Sequence, residues 1–289
     1  MKKTLCFGCS GLRSQEDLRL LDEFAALGGF LLDTANSYGD SEVFIGQWLH
    51  ERKNRDKVTI ITKVGFNPGK NGVWQGLNAK TIEEQCERSL KRLRTDHIDI
   101  YLAHCDDRET PLEETLEAFD RLAKKGKIRT IGACNLRAWR LEKALNISRV
   151  NHWETYSFVQ QGYSYLPRNP GTELAPTHPW INNDLLDCCL NEKIQMLAYS
   201  PLLGGVYGDV AGKLPENYDS PFAQARMRTL RSVAEEIGAT PAQVVLAWLL
   251  NNKPPIIPVV RTGKIERLRE NFSAINLELT QELMRRLSD

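Results

Sequence analysis

Ile98-Asp99-Ile100-Tyr101-Leu102-Ala103-His104 is an apolar run that stops at an imidazole, and two shorter runs upstream stop in the same way. Phe30-Leu31-Leu32 stops at Asp33, with Tyr38 five residues on, and Val58-Thr59-Ile60-Ile61-Thr62 stops at Lys63. Runs this short and this rich in β-branched residues read as parallel strands buried on both faces, not as buried helices. In a parallel barrel, side chains just past the C-terminal strand ends line the active site. Asp33, Tyr38, Lys63 and His104 are therefore expected to converge on one mouth: an acid, a phenol, an amine and an imidazole.

Outward from these runs, strand and helix patterns alternate along the whole chain. A first strand lies around Cys6-Phe7-Gly8. Ser14-Gln15-Glu16-Asp17 resembles a capping box with Asp in place of Glu, followed by an apolar stripe at Leu18, Leu21, Phe24 and Ala25 and a stop at Gly28-Gly29. A helix from about Ser41 carries Val43, Phe44, Ile45, Trp48 and Leu49, and a charged helix runs through Leu90 and Leu93. Thr110-Pro111-Leu112-Glu113 reads as N-cap, N1 proline and N3 glutamate of a helix that ends at Lys124-Lys125-Gly126. Ile128-Arg129-Thr130-Ile131-Gly132-Ala133-Cys134 is a fifth strand ending at Asn135, and a sixth begins near Phe158-Val159 and ends at Gln160. A seventh, Gln195-Met196-Leu197-Ala198, ends at Tyr199; after a helix capped by Thr240-Pro241-Ala242-Gln243, an eighth, Ile256-Ile257-Pro258-Val259-Val260, ends at Arg261. Eight strands with helices between them predict an α/β fold, the closed (β/α)8 or TIM barrel, as a single domain over residues 1–289. Two loops, residues 65–78 and 202–221, are long enough to be functional, and the second is expected to fold over a bound ligand.

Composition agrees. The 289 residues suit one barrel, and 42% apolar residues suffice for a large core. A net charge of +1 gives no electrostatic reason to expect nucleic acid or a membrane surface as partner. The apolar stretches fall far short of the roughly 18 residues of a spanning helix. The one behind Met1-Lys2-Lys3 is too short for a secretory signal, so a cytoplasmic location is expected. Seven cysteines without framework spacing fit a reducing compartment. Cys6-Phe7-Gly8-Cys9 is formally a C-x-x-C, but it falls inside a strand instead of opening a helix. With no second cysteine pair to complete a zinc site, buried packing thiols are expected and no metal.

The four strand-end residues define a chemistry. A lysine buried beside a carboxylate stays protonated, because the ion pair offsets part of the desolvation cost. The charge of Lys63, held by Asp33, is expected to favour the Tyr38 phenolate and lower that tyrosine's pKa, while His104 donates a hydrogen bond to a substrate oxygen. No Gly-x-Ser-x-Gly nucleophile and no paired histidines for a hydrolytic metal occur. Protonating a carbonyl oxygen requires something to attack the carbon. Hydride is the obvious candidate, side chains cannot supply it, and a nicotinamide cofactor is implied. No Gly-x-Gly-x-x-Gly occurs, so the cofactor is not held in Rossmann fashion. The eighth strand leads instead into Arg261-Thr262-Gly263-Lys264-Ile265-Glu266-Arg267, a helix start with a hydroxyl and arginines, suited to a phosphate.

At this point the chain resembles the aldo-keto reductases. Leu32-Asp33-Thr34-Ala35 with Tyr38-Gly39, Ser41-Glu42 and Gly46 is similar to that family's first signature, and Thr62-Lys63 and Leu102-Ala103-His104 complete its Asp-Tyr-Lys-His tetrad. Ile131-Gly132-Ala133-Cys134-Asn135 is similar to its Gly-x-Ser-Asn segment, and Tyr199-Ser200-Pro201-Leu202 to its Tyr-Ser-Pro-Leu. The resemblance, from about residue 8 to 287, implies NADPH-dependent reduction of a small-molecule aldehyde or ketone, with Tyr38 as proton donor. It further implies that Asn135 and Gln160 hold the nicotinamide carboxamide and that Tyr199 stacks on the ring, with Ser200 and Leu202 on the same cofactor side. Arg261, Thr262 and Arg267 would hold the 2′-phosphate of NADP, with Glu270 and Asn271 at the adenine. Three departures stand out: Cys134 replaces the usual serine, weakening one contact to the nicotinamide; the N-terminal hairpin is expected to be missing, leaving the barrel bottom plugged otherwise or more exposed; and the long C-terminal substrate loop is expected to be absent, leaving an open pocket.

Each residue alone has an ordinary reading: Asp33 a polar strand end, Tyr38 a loop aromatic, Lys63 a solvated lysine, His104 a structural histidine. It is their order and their shared placement at strand ends that carry the reading. Trp74, Trp153, Trp180 and Tyr207 divide evenly between lining a substrate pocket and packing, and Asp106, Asp107 and Arg108 between the mouth and a solvated loop. Two other functions fit a barrel of this kind: a cofactor-binding regulatory subunit of the channel β-subunit type, with little turnover, and an isomerase or aldolase using Lys63 as a Schiff-base nucleophile. The sequence leaves the oligomeric state open, with a monomer slightly favoured.

Overall fold

Eight parallel strands are hydrogen-bonded in chain order, and the last closes on the first. The computed structural model describes residues 3–66, 76–172, 178–208 and 214–288. Trp74 and most of the 65–78 loop lie outside the described residues, as does the 209–213 stretch of the second long loop. The strands are β1 Cys6–Gly8, β2 Leu31–Asp33, β3 Thr59–Val64, β4 Ile98–Ala103, β5 Ile128–Cys134, β6 Tyr156–Gly162, β7 Gln195–Tyr199 and β8 Ile256–Val260. Helices α1 Leu18–Ala26, α2 Ser41–Arg52, α3 Ala79–Leu93, α4 Leu112–Lys124, α5 Ala138–Asn151 and α6 Asn183–Asn191 follow the first six strands in turn. Then α7 Pro221–Glu236 and α8 Pro241–Leu250 separate β7 from β8, and α9 Ile265–Ser273 and α10 Gln281–Ser288 follow β8. This is the (β/α)8 barrel that the strand runs predict.

Strand alternation sorts side chains into two cores. Cys6, Leu31, Ile61, Ile100, Leu102, Cys134, Leu197, Ile257 and Val259 fill the barrel interior, and a larger cluster packs between strands and helices. Toward the barrel bottom, Thr59, Thr130, Phe158 and Gln195 are half-buried, so the strands' own side chains fill that end only in part. Gln195 helps seal it, its Nε2 donating to the carbonyl of Pro255 at 3.1 Å. Among the described residues no single helix is long and apolar enough to cross a membrane. The most apolar, α8, has Val244 to Leu250 all buried, as a core helix should.

Most sequence-read boundaries hold, and two move. The Thr240 capping box forms: Thr240 Oγ1 accepts from the Gln243 N–H (3.3 Å), and Gln243 Oε1 accepts from the Thr240 N–H (2.8 Å). The helix placed after Thr110 starts one residue later than expected, because Pro111 is extended (φ −55°, ψ 136°) and Leu112 is the first helical residue. Thr110 is instead drawn into a turn by Asp107, whose Oδ1 accepts the Glu109 and Thr110 N–H groups at 2.9 and 3.3 Å. The sixth strand is longer than Phe158–Gln160, running from Tyr156 to Gly162. Its polar end, Gln160-Gln161, is as buried as an apolar run, which hydropathy alone does not reveal.

One packing point in the first signature is testable. α2 crosses α3 at Gly46, where an added Cβ would lie 2.2 Å from the carbonyl oxygen of Arg92. Helix propensity would favour alanine there by about 1 kcal/mol, but a clash with backbone cannot be relieved by a rotamer change. Gly46→Ala is expected to cost about 1–3 kcal/mol net; an unchanged or raised midpoint in thermal unfolding would refute this.

Candidate active site

Asp33 is the last residue of β2, Lys63 the penultimate residue of β3, and His104 the first residue after β4. Asp33 and Lys63 both point into the barrel, so the carboxylate and the ammonium meet. Lys63 Nζ lies 2.7 Å from Asp33 Oδ1 and 2.8 Å from Oδ2, and donates to the carbonyl of Thr34 at 2.9 Å. Lys63 is 0% exposed and Asp33 3% exposed. Burial opposes the charge on Lys63, but Asp33 outweighs it, and the lysine pKa is raised.

Tyr38 sits between β2 and α2, with Lys63 Nζ 5.0 Å from the centre of its ring and the His104 ring 5.6 Å away in an edge-on arrangement. The expected lowering of its pKa is corrected here. Burial raises it more than the Lys63 charge lowers it, so the net shift is upward and Tyr38 keeps its proton throughout the neutral range. His104 goes the other way. Burial, then Lys63 and His178, push its pKa well below the usual histidine value, so the ring is neutral near pH 7 with one nitrogen left to donate. Its Nδ1 is buried without a hydrogen-bond partner.

The loop after β4 is tied down below His104. Asp106 pairs with both Arg140 and Arg108, Arg140 Nη2 donates to the Asp107 carbonyl at 2.7 Å, and Asp107 Oδ2 accepts from the Leu77 N–H at 2.7 Å. Asp106, Asp107 and Arg108 therefore brace this loop and do not reach the mouth.

The other half of the mouth carries amides. Asn135, in the left-handed region (φ 57°) that asparagine tolerates, donates from Nδ2 to the His104 carbonyl (3.1 Å) and accepts at Oδ1 from the Tyr199 hydroxyl (2.9 Å). Gln160 Nε2 donates to Asp33 Oδ1 at 2.7 Å, and Cys134 Sγ lies 4.0 Å from Gln160 Oε1. After β7 the chain turns sharply through Ser200 (φ 53°) and Leu203 (φ 49°). The Leu203–Gly208 turn is pinned, because the buried Tyr207 hydroxyl contacts Ser164 Oγ at 2.6 Å and accepts from the Leu166 N–H at 2.9 Å. The described start of the second long loop is thus anchored to the β6–α6 connection.

A cavity of about 1210 Å³ joins these parts. It is lined by Asp33, Tyr38, His104, Asn135, Gln160, Tyr199, Ser200 and Leu202 at one end and by Arg261, Thr262, Arg267, Glu270 and Asn271 at the other. Lys63 lies beneath it, reaching it only through Asp33 and Tyr38. At the far end Thr262 Oγ1 accepts from the Lys264 N–H at 3.1 Å, and among the described residues no side chain caps the first turn of α9 itself, so its N–H groups are open to an anion. Arg267 Nη1 meets Glu270 Oε2 at 2.7 Å across one helical turn, an exposed pair worth at most about 1 kcal/mol, and Glu270 Oε1 accepts from Thr240 Oγ1 at 2.9 Å. The Arg261 guanidinium lies on Gly11, where any Cβ would collide with it at 1.8 Å. Length, two amides at one end and cations beside a helix start at the other fit a nicotinamide dinucleotide.

Sequence reading missed several lining residues. Ser10, Phe66, His178 and Lys264 all border the cavity, and the Phe66 ring lies 5.1 Å from that of His104. Phe66 and Lys264 are marked only by their places beside element ends: Phe66 falls just past β3 and Lys264 just before α9. His178 comes from inside the long connection after β6, where no pattern marks it. Of the tryptophans, Trp180 packs over Gly162, and Trp153 is half-buried against the large core. Cys6 and Cys9 are fully buried, and burial, then Asp33, pushes both thiols up, as packing residues require.

Residues 4–289 match the model of the aldo/keto reductase family. The chain is 32% identical to YrpG of Bacillus subtilis, described as an uncharacterized oxidoreductase, over 99% of this chain and 91% of that protein. It is 26% identical to an NADP(+) aryl-alcohol dehydrogenase of Phanerodontia chrysosporium, over 98% and 78%. Among solved structures, a thermostable aldo-keto reductase in complex with the inhibitor epalrestat superposes with a TM-score of 0.76 at 30% identity, over 99% of this chain and 94% of that one.

Proposed function

This chain belongs to the aldo/keto reductase family, and we propose that it reduces aldehydes or ketones to alcohols with NADPH, Tyr38 acting as the general acid. The observation that carries the reading is the buried Lys63–Asp33 pair beneath a protonated tyrosine at the floor of a dinucleotide-sized cavity. A bound nicotinamide supplies hydride to the carbonyl carbon. Tyr38 gives its phenolic proton to the carbonyl oxygen, and neutral His104 donates a hydrogen bond to the same oxygen. Lys63 stabilises the phenolate that remains, and Asp33 holds Lys63 charged and in place.

Asn135 and Gln160 have amide valences left to hold the nicotinamide carboxamide, and Tyr199, fixed through its hydroxyl, offers its ring as a wall, with Ser200 and Leu202 beside it. Arg261, Thr262 and Arg267 are proposed to hold the 2′-phosphate, and Glu270 and Asn271 to meet the adenine. The NADP(+) dehydrogenase among the relatives supports that preference. Residues 1–289 are read as one domain that acts on a small carbonyl compound in the cytoplasm. A Schiff-base role for Lys63 is disfavoured, because an ammonium enclosed by Asp33 and the Thr34 carbonyl is a poor nucleophile.

The test is loss of NADPH absorbance on mixing the protein with a reactive aromatic aldehyde, with NADH in parallel. Turnover with a clear NADPH preference is expected. Equal rates with NADH would sink the phosphate assignment, and tight NADPH binding without turnover on any carbonyl would favour a cofactor-binding subunit instead.

A further inference from the structure

We propose that Gln160 is a positioning residue for proton transfer: through its hydrogen bond to Asp33 it sets how much of the carboxylate charge is left for Lys63 to balance, and so tunes the acidity of Tyr38. The inference rests on the reading of Tyr38 as the acid. Asp33 Oδ1 receives two donors at 2.7 Å, Gln160 Nε2 and Lys63 Nζ, while Oδ2 receives Lys63 Nζ at 2.8 Å. A carboxylate is acceptor-only, so the Gln160 amide must turn its nitrogen toward Asp33. Gln160 is 2% exposed and lines the cavity. The same side chain that offers its remaining amide valences to the cavity therefore partly neutralises the counter-ion of Lys63. Asn135 has no equivalent link, since its donor bond goes to a backbone carbonyl.

The surroundings isolate this effect. Tyr38 and its ion pair, Asp33 from β2 and Lys63 from β3, are faced by Cys6 and Cys9 from the β1 side, His104 after β4, Cys134 from β5 and Tyr199 from β7, and His178 from the connection after β6 lies beyond His104. Burial pushes the three thiols and Tyr199 up and His104 down, so all five are neutral near pH 7. Of the groups that act on Tyr38, Asp33 and Lys63 alone are left charged, and they act in opposite directions, Asp33 raising and Lys63 lowering its pKa. Removing a donor from Asp33 strengthens the raising partner. The sign is therefore fixed: loss of the Gln160 amide makes Tyr38 a weaker acid.

The test needs no turnover. The protein is labelled throughout with a difluorinated tyrosine, whose phenol is more acidic than that of tyrosine, and Tyr38 is assigned by the fluorine resonance lost in Tyr38→Phe. In Gln160→Met, which keeps the side-chain length, the Tyr38 titration midpoint is expected to rise by about one pH unit. Gln160→Leu, which also removes the amide donor, should raise it by a similar amount, and serves if the methionine variant does not fold. Midpoints equal to the parent's in a folded variant would overturn the proposal, even if NADPH affinity fell, since a residue that only holds the carboxamide would lower affinity and leave the titration alone. Failure of the Tyr38 assignment would show separately, as turnover surviving in Tyr38→Phe.

Discussion

Tyr38→Phe is expected to reduce kcat for aldehyde reduction by about 10²–10⁴-fold while leaving NADPH affinity nearly unchanged. The substitution removes one hydroxyl and keeps the ring, so the edge-on contact with His104 at 5.6 Å and the position of Lys63, 5.0 Å from the ring centre, are retained. What disappears is the proton. Tyr38 is protonated at neutral pH because burial raises its pKa, and no neighbour replaces it as donor: Lys63 is enclosed by Asp33 and Thr34, and neutral His104 is a far weaker acid than an imidazolium. Steady-state rates with a saturating aldehyde and cofactor fluorescence titration separate the two effects. Turnover within about tenfold of the parent would remove Tyr38 as the acid; loss of cofactor binding along with turnover would point to a collapsed site instead.

Lys63→Met is expected to lower stability by about 3–5 kcal/mol as well as to abolish turnover. The methionine fills a similar volume, but Asp33 then stays buried as an uncompensated charge, with Gln160 Nε2 at 2.7 Å as the remaining side-chain donor to it. The decisive comparison is the double variant Asp33→Leu with Lys63→Met. Replacing a buried pair by apolar residues is often neutral in stability, so the unfolding midpoint should recover while activity does not. If the single variant unfolds like the parent, the pair contributes less than its burial implies. The pH sign is also set. Because the Lys63 pKa is raised, its contribution is complete below the unfolded lysine value near about 10.4. It is lost only as pH rises through the higher folded value, so the parent's advantage should persist to the alkaline end of its stable range.

Much of this site could be read from the chain because parallel strands announce themselves. A strand buried on both faces must be apolar nearly throughout, so Asp33, Lys63 and His104 stand out at the ends of such runs. Tyr38 and the Arg261–Arg267 stretch then follow from their distance to those ends. The same logic fails where burial and polarity coincide. Gln160 and Gln161 are buried on β6, and hydropathy cannot report that their strand continues to Gly162. It fails again in long connections: His178 reaches the cavity from a segment without periodicity, and Tyr207 is an anchor for the turn after β7 through Ser164, a residue 43 positions away.

The sequence by itself determined the barrel, the order of its strands and which polar residues stand at the strand ends, since alternation and strand-end placement follow from local backbone geometry. The tertiary structure alone decided the balance of charge there. Whether Lys63 lowers the Tyr38 pKa outright, whether His104 is charged, and which way the Gln160 amide turns all depend on burial and on partners brought together from distant strands. Asp33 and Gln160, 127 positions apart in the chain, meet in space at a 2.7 Å hydrogen bond. Electrostatics act through space and through the dielectric that folding creates, and neither is written in local sequence.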